Sequence, residues 1–189
     1  IESERFKNLV FREFYSERDV IAEERRMSLD NTPDGFLNEE FSNMAFILHP
    51  YRHTVVGYME DIQSYTKAKA LNFYKTFYIP NNMVAALVGD VKLEEAKRLA
   101  EKYFGDIPKG EDPPRQVFIE PEQRGERRVT VRFESEPRLI ISFHMPGPAE
   151  KDNLTLGLAS MILSRGSSSR LYRDLVTNKK IAVSISATT

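Results

Sequence analysis

One stretch rich in proline and charge divides the chain into two parts. Residues 108–127 (PKGEDPPRQVFIEPEQRGER) contain four prolines and two glycines and show no helical period. Proline fixes φ and removes a backbone donor, so a run of this kind interrupts helices and sheets alike. Segments of this composition commonly connect domains. We therefore predict a linker at 108–127, between one domain at 1–107 and a second at 128–189.

The rest of the sequence combines helical and alternating patterns. Apolar residues at helical spacing predict six helices, at 13–29, 36–48, 61–77, 93–104, 151–164 and 170–177. Short apolar or alternating runs predict four strands, at 83–90, 127–133, 138–145 and 182–187. Helices that follow helices, with strands next to strands, are typical of α+β layers with antiparallel strands. We therefore predict an α+β fold.

Charge and composition exclude several classes of protein and site. The chain has 189 residues with 27 Lys and Arg against 28 Asp and Glu, whereas nucleic-acid-binding proteins usually carry a basic excess. No apolar run approaches the roughly 18–20 residues that span a bilayer. We therefore predict neither a nucleic-acid nor a membrane partner. The absence of cysteine excludes disulfides, thiolate nucleophiles and cysteine-ligated metals.

Two glutamates in the first long helical segment are candidates for metal chemistry. Glu17 and Glu24 are seven residues apart, so they share one face of a helix, with Ile21 between them. A carboxylate on a partly apolar face must be paired or must bind a cation if it becomes buried. The spacing by itself favours the ordinary interpretation, which is a solvated helix face rich in Glu and Arg.

The other polar motifs are weaker candidates. His49 and His53 have the spacing of a helical zinc pair, but Pro50 argues against a helix there, so we interpret the stretch as a packed loop. His144 ends a predicted strand and is interpreted as structural or exposed. The segment 166–170 (GSSSR) lacks the Gly-Lys-Ser/Thr ending of a phosphate-binding loop, which favours a helix cap.

Three segments carry a resemblance to a known family, and they occur in its order and spacing: ERDVIAEERRMSLDNTPDG, HPYRHTVVGYMEDI and FYKTFYIPNNMVAALVGDV. They resemble the insulinase/pitrilysin family of zinc metallopeptidases, which includes the mitochondrial processing peptidase. In this family a His-x-x-Glu-His motif supplies two zinc ligands and the catalytic glutamate. A later Glu-x6-Glu helix supplies the third ligand. By this resemblance, Glu24 matches the third zinc ligand and Glu17 matches the glutamate that supports the ligands.

The resemblance covers nearly the whole chain and implies its organisation. It implies two related half-domains, each an antiparallel sheet packed against helices and only partly covered by this sequence. Residues 1–107 would be the later part of the first half-domain, and residues 128–189 the beginning of the second. The implied activity is zinc-dependent hydrolysis of peptides by an endopeptidase.

Two departures from the family pattern limit what this chain is expected to do. No His-x-x-Glu-His occurs in the 189 residues, so the motif lies upstream or the protein is a degenerate homologue, and we expect this chain to be inactive alone. Active members also carry an Arg and a Tyr in the second half that hold the substrate, where this chain has Val176 and Val183. A homologous partner subunit would then supply that pair.

Two other functions remain open from the sequence. One is a non-catalytic structural member of the same fold, like the core subunits of respiratory complexes. The other is a helical interaction module unrelated to proteolysis. Sequence upstream of Ile1 separates the first from a peptidase, because only the peptidase needs His-x-x-Glu-His there.

Overall fold

The computed structural model describes residues 1–189, and their contacts divide into two units, residues 1–137 and 138–189. By these contacts the proline-rich segment 108–127 belongs to the first unit. The half-domain boundaries inferred from the sequence remain a prediction. No helix is long and apolar enough to cross a lipid bilayer.

Seven α-helices are present, six of them in the first unit: α1 Glu2–Lys7, α2 Phe14–Arg25, α3 Pro33–Ala45, α4 Met59–Gln63, α5 Lys67–Phe77, α6 Leu93–Phe104 and α7 Lys151–Ser164. Four further segments are helical but not α-helical, two of them π-helical (Arg26–Asp30 and Tyr172–Asn178) and two 3₁₀-helical (Pro50–Arg52 and Pro80–Asn82). The helices predicted at 93–104 and 151–164 are confirmed at both ends. The single helix predicted at 61–77 is wrong, because the chain breaks between α4 and α5.

The α+β fold class predicted from the sequence is wrong for this structure. The chain contains no β-strand, so neither unit holds an antiparallel sheet packed against helices. The four segments predicted as strands lie outside the helices and pair with no neighbour. Alternation of apolar and polar residues predicts two faces, whereas a strand also requires a hydrogen-bonded ladder to a second segment. Without that ladder their side chains stay open to solvent, as at Val84 and Val183, which are 99% and 96% exposed.

The buried part of the first unit is small. It includes the regions where α2 packs against α4 and where α3 packs against the π-helical segment Arg26–Asp30, and also Ile79 after α5. Ile62 of α4 is fully buried, and Ala22 of α2 and Ala45 of α3 are also buried. Each of these elements is short, so much of the order in this region depends on their contacts with one another rather than on intrinsic helix stability.

A close approach joins the end of the π-helical segment to the start of α3. The Thr32 side chain caps α3 by accepting a hydrogen bond from the Gly35 backbone N–H at 3.1 Å, and Pro33 occupies the first helical position. A Cβ on Gly35 would collide with the Ser28 carbonyl oxygen and would come within 2.7 Å of the Leu29 Cα. Glycine therefore allows the two backbones to meet here.

Two charged side chains attach the proline-rich segment to the end of α3. The Glu120 carboxylate accepts three backbone hydrogen bonds, from Ile47 at 2.7 Å, Leu48 at 2.9 Å and His49 at 2.8 Å. Arg127 donates to the carbonyl oxygens of Met44 and Ala45, both at 3.0 Å. Desolvation raises the pKa of Glu120, but the three N–H donors and the charge of Arg127 together lower it from 4.5 to about 2.

This depressed pKa predicts an acid-dependent loss of stability. A carboxylate whose pKa is about 2 when folded and 4.5 when unfolded stabilises the folded state above pH 4.5, and the contribution disappears as the pH falls towards 2. Glu120→Gln should therefore lower the urea midpoint at pH 7, and the gap to the unmodified protein should close as the pH falls through this window. Glu122→Gln, on the same segment, serves as the exposed control. A gap that stays constant with pH would contradict the assignment.

In the second unit, hydrogen bonds tie the end of the chain back to α7. The Ser164 hydroxyl accepts from the Ala187 backbone N–H at 2.8 Å. The π-helical segment Tyr172–Asn178 is followed by Lys179, whose ammonium group lies 2.8 Å from the Asp174 carboxylate. The segment predicted as a helix at 170–177 is helical in the structure, but most of its turns are π-helical rather than α-helical.

Candidate functional site

The two candidate glutamates lie on one uncovered face of α2. Glu17 and Glu24 are both exposed, and neither side chain makes a hydrogen bond or an ion pair. Val20 lies between them on the same face and is 59% exposed, and Met27, in the π-helical segment that follows α2, is 67% exposed. The stripe combines two unpaired carboxylates with two exposed apolar side chains.

The neighbouring Glu23, unlike Glu17 and Glu24, has a partner. Glu23 forms an ion pair with Arg26 at 2.8 Å. Glu24, with Val20 and Met27, lines a shallow and mostly apolar groove. A carboxylate that is accessible, unpaired and held on a regular helix can serve as an oxygen ligand for a metal ion.

The residues present fit one ligand position of a zinc site and no more. Zinc sites in enzymes use three protein ligands, drawn from Cys, His, Asp and Glu, and leave the fourth position for water or substrate. No group of three such side chains is brought together anywhere in this chain. Glu24 can therefore provide a single ligand, and a complete site needs residues outside these 189.

The histidines of the first unit have structural contacts. Pro50 begins a 3₁₀ turn, so His49 and His53 do not share one face of an α-helix. The His49 Nδ1 accepts from the Tyr51 backbone N–H at 3.2 Å, and its ring packs edge-on against the Tyr51 ring at 4.4 Å. The His53 ring packs against Tyr58 at 5.2 Å. Neither histidine belongs to a group of three side chains that could hold a metal.

Arg25, next to Glu24, is the part of this region that sequence reasoning missed. Its guanidinium group donates two parallel hydrogen bonds to the Glu39 carboxylate, both at 2.8 Å, and a third to the Gly57 carbonyl oxygen at 2.7 Å. Asp30 lies 3.2 Å away. The Glu39 hydrogen bond raises the pKa of Arg25, against the opposing effect of desolvation. In a segment as charged as EERR, no pattern marks which arginine becomes buried.

The second unit contributes no polar group at the two positions where active relatives are expected to hold substrate. Val176 is half-buried within the π-helical segment Tyr172–Asn178, and Val183 is exposed. Neither side chain can donate a hydrogen bond to a peptide carbonyl.

Comparison with known proteins establishes the family. Residues 64–189, more than half of the chain, match the family model described as "Peptidase M16 inactive domain". The chain belongs to the M16 peptidase family. This confirms the resemblance to the insulinase/pitrilysin family that the sequence motifs indicated.

Relatives and a solved structure extend this likeness across the chain. Zinc protease PqqE of Helicobacter pylori is 35% identical over 179 residues, which are 93% of this chain and 40% of that protein. A crystal structure titled as a protease from Helicobacter pylori superposes with a TM-score of 0.79 at 32% identity, covering 96% of this chain and 45% of that one. The chain therefore spans less than half the length of these two proteins.

A third relative has a name of a different kind. The mitochondrial ubiquinol-cytochrome-c reductase complex core protein I of Euglena gracilis is 28% identical over 158 residues, covering 82% of this chain and 31% of that protein. Its name describes a component of a complex and mentions no protease. The family therefore includes both named proteases and a named component of a respiratory complex.

Proposed function

We propose that this chain is part of a zinc-dependent metalloendopeptidase that hydrolyses peptides, and that Glu24 is one of its zinc ligands. The observation that carries the proposal is the Glu24 carboxylate itself, which is exposed and unpaired at the position that matches the family's third ligand. The 35% identity to a relative named as a zinc protease supports the peptidase part of the proposal.

The proposal gives each glutamate a separate role. Zinc, when bound, polarises the scissile carbonyl and lowers the pKa of a bound water. Glu24 binds the metal with its carboxylate. Glu17 lies two turns away on the same face, about 10 Å along the helix. It does not contact the metal but holds one of the metal's ligands in position. Side chains of this supporting kind commonly affect metal affinity about 10–100-fold.

The remaining parts of the active site lie outside this chain in the proposal. His-x-x-Glu-His, expected upstream of Ile1, supplies the other two ligands and the general base. Because the chain brings no three ligands together, we propose that it is inactive alone. The substrate is a peptide or an unfolded polypeptide, bound in extended form.

A homologous partner subunit is proposed to supply the substrate-holding Arg and Tyr. Val176 and Val183 stand at those positions here and can donate no hydrogen bond. The likeness to a named component of a complex supports an assembly of more than one subunit. Peptide cleavage by the full-length protein with and without its homologue tests this part, and full activity without the homologue would contradict it.

The same relative supports a second candidate, a non-catalytic structural subunit. Its name describes a core protein, and it covers 82% of this chain. The two candidates differ in one observable feature, because a scaffold has no need of His-x-x-Glu-His upstream of residue 1. Zinc bound by the full-length protein favours the peptidase.

The decisive experiment is Glu24→Gln in the full-length protein. Glutamine keeps the size of the side chain but replaces the anionic carboxylate with a neutral amide, a much weaker zinc ligand, so we expect zinc affinity to fall by at least about 10-fold. Zinc content after gel filtration, measured by atomic absorption, is the readout. Glu23→Gln, one residue away, is the matched control and should retain its zinc. Unchanged zinc in Glu24→Gln would refute the ligand assignment.

A further inference from the structure

Two arginines seven residues apart tie α2 to the two ends of α4. Arg25 donates to the Gly57 carbonyl oxygen at 2.7 Å, just before α4 begins, and Arg18 donates to the Gln63 carbonyl oxygen at 3.4 Å, where α4 ends. Each arginine directly follows one of the two candidate glutamates in the sequence. The helix α2 therefore exposes Glu17 and Glu24 on one face, while the arginine that follows each glutamate attaches the helix to the ends of α4.

Arg25 is by far the stronger of the two attachments. Its side chain and that of Glu39 are only 9% and 7% exposed, and the guanidinium group meets the carboxylate through two parallel bonds. Such a paired arrangement fixes the plane of the guanidinium group as well as its position. Arg18 is more exposed, and its bond to the backbone is longer.

Fixing Arg25 also fixes the direction of Glu24. Adjacent residues of an α-helix point about 100° apart, so a locked side chain at one position sets the direction of its neighbour. At the outer radius of a helix, about 5–6 Å, a rotation of about 20° moves a side chain by about 2 Å. Zinc–oxygen bonds are about 2.0–2.2 Å long and tolerate changes of about 0.2 Å. A small rotation of α2 would thus remove Glu24 from a zinc ion held by other ligands.

We propose that Arg25, held by Glu39 and by the Gly57 carbonyl, is a positioning residue that sets the rotation of α2 and so directs Glu24 to its zinc. This inference rests on the proposed function, since it concerns the same metal ligand. Arg25 does not touch the metal. Its effect on zinc passes entirely through the orientation of the helix.

The test uses Arg25→Met and Arg25→Lys in the full-length protein, with zinc affinity measured by competition against a chelator. Circular dichroism and urea denaturation fix conditions where each variant is fully folded. We expect Arg25→Met to weaken zinc binding about 10–100-fold. Arg25→Lys, which keeps the charge but loses the paired geometry, should weaken it less. Lys7→Met is the control, because it breaks the 2.6 Å ion pair with Asp106 in the same unit but leaves α2 untouched.

The possible results separate this inference from the proposed function. Weaker zinc binding in folded Arg25→Met, with zinc binding unchanged in Lys7→Met, supports the positioning role. Unchanged zinc affinity in folded Arg25→Met, when Glu24→Gln has lost its zinc, overturns the positioning role and leaves the ligand assignment intact. If Arg25→Met does not fold, Arg25→Lys decides between the same two results.

Discussion

Replacing Glu39 by alanine is expected to lower the free energy of unfolding by about 3–5 kcal/mol. Glu39 is buried, and its carboxylate accepts both parallel hydrogen bonds from Arg25. Its removal leaves a buried positive charge without its main partner, and the Arg25 Nε already has none. Most of the expected cost therefore comes from the arginine that stays behind.

A double variant tests whether the cost comes from the unpaired arginine. In Arg25→Met/Glu39→Met both charges are gone and the apolar side chains fill similar space, so the double variant should be more stable than Glu39→Ala. Urea denaturation of the unmodified protein, Glu39→Ala and the double variant compares their free energies of unfolding. Lys97→Met, which breaks the exposed pair with Glu94, should leave the midpoint almost unchanged. A double variant no more stable than the single one would show that the ion pair itself, and not the orphaned charge, carries the energy.

Ile62→Ala is expected to cost about 2–5 kcal/mol. Ile62 is the only large side chain that is fully buried, and it lies on α4, the helix that packs against α2. Truncation removes buried methyl groups and leaves a cavity that such short elements can fill only by moving. The unfolding midpoint in urea measures the effect.

Two further variants show how the loss of stability depends on the size and the burial of the group removed. Ile62→Val removes a single methylene and should cost about 0.5–1.5 kcal/mol. Val84→Ala, at a fully exposed position, should change stability very little. Equal effects of alanine and valine at position 62 would mean that the site is less tightly packed than the structure shows.

The ends of a helix were predicted correctly from the sequence where both its apolar periodicity and its flanking turn residues are visible. The ends at 93–104 and 151–164 agree with the structure, because apolar periodicity and local turn residues coincide there. The helix predicted at 36–48 begins three residues earlier in the structure, since Thr32 and Pro33 form a cap that the apolar pattern does not reveal. Between α4 and α5 the Thr66 hydroxyl accepts from the Lys69 N–H and starts a new helix inside one apolar stripe.

Features that depend on distant residues were not predictable in the same way. Alternation at 127–133 predicts a polar and an apolar face, but the sequence does not say whether a second segment pairs with it, and none does. Arg25 and Glu39 are fourteen residues apart and sit among many charges, so their burial has no local signal. Glu17 and Glu24 were singled out through family motifs, whereas their spacing favoured an ordinary solvated face.

The attachment of Glu120 and Arg127 to the end of α3 has a mechanical consequence. Tension applied to the chain beyond Arg127 is transmitted first to the carbonyl groups of Met44 and Ala45, before it reaches residues 108–119. An applied force would therefore act on α3, the helix that carries Glu39, while residues 108–119 bear little of the force. In a force-extension measurement, the length of residues 108–119 should be released only after this attachment has ruptured.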